Sequence, residues 1–125
     1  MRTFKVLTSL ALCSLLAKAG EVLNILDFGA IPNEDSIEAE QANAQAFADA
    51  VVAANYTTDG SPREVHIPAD QTFQMMASWF EGLNNITITI DGTVQLSKRH
   101  HHWPVGVKGD VRNFWEFYEC HDLKF

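Results

Sequence analysis

Phe80-Glu81-Gly82-Leu83-Asn84-Asn85-Ile86-Thr87-Ile88 and Phe117-Tyr118-Glu119-Cys120-His121-Asp122-Leu123-Lys124-Phe125 share one apolar spacing, and reading the second stretch as a repeat of the first decides the fold. Each sets an apolar residue at positions one, four, seven and nine, and the polar pair Asn84-Asn85 is answered by His121-Asp122. Recurring strand and turn is the mark of stacked units, because no unit can bury its apolar face alone. The spacing therefore predicts two turns of one coiled unit, with Ser97 to Arg112 as a loop inserted into one of them. Alternating strands separated by turns also suit a sandwich.

Upstream the pattern is mixed. Asn24 to Phe28 alternates weakly and ends at Gly29, which predicts a short strand and a turn. Asp35 and Glu38 have capping-box spacing, and Ala39, Ala42, Ala46, Phe47, Ala50, Val51 and Ala54 recur at helical intervals. That narrow alanine-rich face lets a backbone approach closely, so the helix suits a lid over the first coil. Thr57 to Pro62, containing Asp59-Gly60, ends it. Beyond Pro62 the period is two: Val65 and Ile67, Phe73 and Met75, Ile86, Ile88 and Ile90, then Val94 and Leu96 after Asp91-Gly92.

Arg2 and Lys5 precede the apolar run Val6 to Leu16, and Ala17-Lys18-Ala19 offers small residues at the two positions a signal peptidase reads. Residues 1–19 are thus expected to be a signal peptide, with one domain over 20–125 and a secreted, extracellular product. Removing Arg2, Lys5 and Lys18 leaves six basic residues against sixteen acidic ones, a net of −10, which argues against nucleic acid or an anionic membrane as partner. Cys13 lies in the signal, so Cys120 stands alone, with a partner further along the chain, a buried thiol or a free reactive thiol as the alternatives. Asn55-Tyr56-Thr57 and Asn85-Ile86-Thr87 make Asn55 and Asn85 glycosylation candidates.

Asp27-Phe28-Gly29-Ala30, the alanine-rich helix, Val65-x-Ile67-Pro68-Ala69 with Phe73 behind it, and Ile88-x-Ile90-Asp91-Gly92-Thr93 follow one another in an order that resembles the opening of the pectin lyase-like superfamily, and within it the polygalacturonases of glycoside hydrolase family 28. The resemblance spans Asn24 to Phe125 and implies an all-β fold, the incomplete start of a right-handed parallel β-helix, a solenoid with an N-terminal capping α-helix. It implies hydrolysis of α-1,4-galacturonosyl bonds by a longer parent, without cofactor, acting on a pectic or related acidic polysaccharide as a monomer when complete. Two positions depart from the pattern: Ile31 to Asp35 lacks glycine, and Asp70 stands where a glycine follows Pro-Ala. The family's Asn-Thr-Asp, Asp-Asp, Gly-His-Gly and Arg-Ile-Lys motifs do not occur here, so no residue is assigned a catalytic role and the chain alone is expected to be inactive. The alternatives are a β-helix module that binds or displays polysaccharide without cutting it, and a lyase of the same superfamily.

Several residues invite sharper readings. His100-His101-His102 suggests a metal, but consecutive residues diverge and no cysteine or close carboxylate completes a set, so an exposed loop and no metal is the expectation. Among Trp79, Phe80, Trp103, Phe114, Trp115 and Tyr118, those in alternating segments are read as core, which leaves Trp103 in the inserted loop as the carbohydrate-binding candidate. Asp27, Asp91 and Asp122 are read as turn formers.

Overall fold

The computed structural model describes residues 22–55 and 63–125, so the expected signal segment 1–19, the mature start near Gly20 and the loop from Thr57 to Pro62 lie outside the described residues, as do Tyr56 and Thr57 of the first sequon. The chain opens with a short strand, β1 (Val22–Asn24), that passes into one 3-10 turn, Ile25–Phe28, closed by Gly29 at φ 96°. The strand expected over Asn24 to Phe28 is therefore mostly a helical turn. Asn24 Oδ1 accepts the Leu26 N–H at 2.9 Å, a local bond that competes with strand pairing and swings Ile25 into the core.

Helix α1 (Ile37–Asn55) follows the expected alanine periodicity, and Ala39, Ala46, Phe47, Ala50, Val51 and Ala54 are fully buried. Its cap is Ser36, whose Oγ accepts the Ala39 N–H at 3.1 Å. Asp35 is not free for that task, because its carboxylate meets Arg99 Nη1 at 2.9 Å.

Seven further strands follow: β2 (Arg63–Ile67), β3 (Thr72–Met75), β4 (Ser78–Glu81), β5 (Asn84–Ile90), β6 (Thr93–Leu96), β7 (Trp115–Tyr118) and β8 (His121–Lys124). They form a four-stranded sheet in the order β1-β2-β5-β8 and two-stranded sheets β3-β6 and β4-β7, with every strand pair parallel. The recurrence read from the sequence is realised in register: Phe80 pairs with Phe117, Asn84 with His121 and Ile86 with Leu123. Even the backbone repeats. Gly82 and Asn85 have φ 68° and 56°, and Glu119 and Asp122 at the matching positions have φ 48° and 54°, so both copies turn through the left-handed region. Asp70 also turns there, at φ 63°. Gly92 answers a different demand, since a Cβ at that position would lie 2.2 Å from the Pro68 carbonyl oxygen.

The fold class, however, is mixed rather than all-β, and the described chain is not plainly the start of a solenoid. A nineteen-residue helix is its longest element, and its strands are short and divided among sheets of two to four. The physical reason lies in the helix. It does not merely lid an end: Phe47 packs edge-on to Phe80 at 5.5 Å and stacks on Trp115 at 4.6 Å, while Ala50, Val51 and Ala54 join Val65, Phe73, Ile86 and Ile88 in one core. Each large side chain buried this way contributes about 1.5–3 kcal/mol, so α1 is a layer of the fold on equal terms with the strands.

Candidate functional site

Two polar constructions join α1 to the strands and loops. Asn43, fully buried, accepts the Ile31 N–H at 2.6 Å and donates to the carbonyls of Ile31 and Gln74. Glu40, also fully buried, accepts from Ser97 Oγ at 2.7 Å and from Arg99 Nη1 at 2.6 Å, and Arg99 reaches on to Asp35. The hydrogen bond to Asp35 is the largest cause that raises the Arg99 pKa above its usual value. These contacts hold the start of the long loop after β6 against the helix. Ser97 also borders a hollow of about 210 Å³ shared with Leu96, His100, Trp103, Val105 and Val111.

From there an aromatic stack runs outward. Trp115 lies between Phe47 and Phe114, and Phe114 stacks in turn with Trp103 at 6.3 Å. Trp103, the candidate chosen for sugar contact, donates its indole N–H to the Arg112 carbonyl at 2.7 Å and is only partly exposed.

A different pair of aromatics faces solvent. Strands β4 and β7 turn Phe80 and Phe117 inward, and period two then sends Trp79, Glu81, Glu116 and Tyr118 to the outer face. Trp79 is opposite Glu116 and Glu81 opposite Tyr118, so the aromatics occupy one diagonal of a four-residue patch and the carboxylates the other. Trp79 and Tyr118 are 51% and 46% exposed, with ring centroids 5.9 Å apart and tilted by 49°. Beside them lies a cleft of about 260 Å³ bordered by Trp79, Glu116, Arg112, Asn113, Pro104 and Val105.

Glu116 is held tightly at the floor of this patch. Its Oε1 accepts from the Asn113 backbone N–H and from Asn113 Nδ2, both at 3.1 Å, and its Oε2 from Arg112 Nη1 at 3.0 Å and the Tyr118 hydroxyl at 3.1 Å. The Asn113 backbone bond, then the Arg112 and Tyr118 bonds, hold its carboxyl below the usual carboxylate value. The same bond to Glu116 raises the Tyr118 phenol, which stays protonated and donating. A carboxylate with this many donors is an anchor for its neighbours. It is no proton source at neutral pH, which a glycosidase acid must be.

The remaining candidates scatter. Asn55 ends α1 and its Oδ1 accepts the Asn84 N–H at 3.0 Å, while Asn85, partly exposed, sits in the left-handed turn of the first repeat. His100–His102 form a 3-10 turn with all three rings exposed, and no set of three or more His, Cys, Asp or Glu among the described residues is grouped to hold a metal ion. Asp91 bonds His66 Nε2 at 2.7 Å beside the turn it was assigned. Cys120 is a free thiol whose Sγ donates to the Tyr118 carbonyl at 3.1 Å. No described helix is long and apolar enough to cross a membrane.

Comparison of the chain with protein-family models, with curated proteins and with solved structures finds no match.

Proposed function

We propose that this chain provides a saccharide-binding surface, without cleaving capacity of its own, to a secreted pectin-directed protein of the glycoside hydrolase kind. The observation that carries the binding is the outward pair Trp79 and Tyr118 beside the Arg112-Glu116 cleft. Flat amphipathic rings offer apolar faces to the C–H side of a pyranose, and the amide of Asn113 and the guanidinium of Arg112 supply hydrogen-bonding groups at the cleft edge. The pectin class rests on the ordered motifs from Asp27 to Thr93 alone, since the corrected fold class adds nothing to it. Absence of cleavage rests on the missing acid and base motifs.

Affinity electrophoresis through gels cast with pectic polymers tests the binding. Retardation of the chain, abolished in the Trp79→Ala, Tyr118→Ala double variant, is the expected result. Unretarded migration in every polymer sinks the proposal, and release of reducing ends by the purified chain sinks its non-cleaving half.

A further inference from the structure

We infer that the Trp79–Tyr118 face selects uncharged pyranose units, neutral sugars or methyl-esterified uronates, and disfavours free uronates. The inference rests on the saccharide-binding reading and adds the charge of the ligand to it. The local charge balance sets this preference. Arg112 is the cation of the cleft, and its Nη1 is already committed to Glu116 at 3.0 Å. Lys108 and Asp110, on the adjoining loop closed by the Val105–Val111 bridge, offset each other. That leaves Glu81 uncancelled on the patch itself, opposite Tyr118 in the strand register and exposed to solvent, with exposed Glu119 next along the chain. A polymer laid across the aromatic diagonal therefore passes the uncompensated Glu81 carboxylate on one side and the Arg112-paired Glu116 carboxylate on the other.

Like charges at this range and at a surface dielectric cost enough to change affinity by on the order of tenfold. An uncharged unit avoids that repulsion and turns the exposed carboxylate to use, because Glu81 keeps acceptor oxygens open to sugar hydroxyls. The Glu116 carboxylate has four donors from the protein and thus favours its ionised form throughout the neutral range.

Isothermal titration of the full chain against two galacturonans of matched length, one fully methyl-esterified and one fully de-esterified, tests this at low and at high salt. The esterified polymer is expected to bind about tenfold more tightly at low salt, with the gap narrowing as salt screens the repulsion. Glu81→Gln should narrow the gap by strengthening the de-esterified complex while leaving the esterified one little changed. Equal or tighter binding of the de-esterified polymer, or a gap that Glu81→Gln does not move, overturns the selectivity and leaves the saccharide reading standing. Failure of both polymers to bind overturns the two together.

Discussion

The helical segment Val22–Asn55 and the closing segment Lys98–Phe125 handle charge in opposite ways. The first carries Asp27, Glu34, Asp35, Glu38, Glu40 and Asp49 and no lysine or arginine, yet it takes one of those acids, Glu40, fully into the interior. The second mixes Lys98, Arg99, Lys108, Arg112 and Lys124 with four acids and keeps all of them at least partly exposed. The two meet where Arg99, together with Ser97 just before the closing segment, reaches Glu40. A buried carboxylate is tolerable only because donors from the far end of the chain satisfy it, so the order of the long loop and the seating of the helix are one event. In the closing segment the same residue types are instead arranged around solvent.

The largest effect that separates the two regions is expected from Phe47→Ala. Phe47 is fully buried against Phe80 and Trp115, and its loss should cost about 3–5 kcal/mol in urea unfolding. A cost under about 1 kcal/mol would mean that the helix does not share the strands' core. Asn43→Ala comes next. It strips partners from the Ile31 N–H and from the Ile31 and Gln74 carbonyls, and about 1–3 kcal/mol is expected from the groups left unsatisfied.

The closing segment should respond to acid through Glu116. Its folded pKa is depressed, so its contribution to stability is present above the ordinary value of 4.5 and is lost as pH falls through the lowered folded value. Carboxyl carbon chemical shifts followed through an acid titration check this directly, and a Glu116 midpoint at or above 4.5 would remove the anchoring role given to it. The smallest stability effect is expected at Trp79, where truncation to Ala should change unfolding by within about 0.5 kcal/mol while removing retardation in polysaccharide gels. A large loss of stability would make Trp79 a packing residue and erase the contrast between the regions.

Much of this was legible from residue order. The α1 periodicity, the short strands around Val65, Phe73, Ile88 and Val94, and the pairing of Phe80 with Phe117 all follow from apolar spacing. The outward direction of Trp79 and of Tyr118 was legible too. Once Phe80 and Phe117 are placed inward, strict alternation sends Trp79 and Tyr118 outward, a consequence hidden by treating aromatics in alternating segments as core. Other features could not be read this way. Ser36 displaced Asp35 as the cap because Arg99, more than sixty positions away, claims the aspartate, and the Arg112 carbonyl takes the N–H of Trp103 from nine positions on.

Apolar spacing alone was enough to place the long helix and the period-two strands after Pro62, since such spacing is a local property, but not to place the 3-10 turn at Ile25–Phe28. Only the tertiary structure decided that the helix is a full layer of the core, that Glu40 is buried, and that two aromatics and two carboxylates share one outer patch. Those outcomes depend on contacts between residues far apart in the chain, and the free energy of burying or exposing a group is set by neighbours that local order does not name.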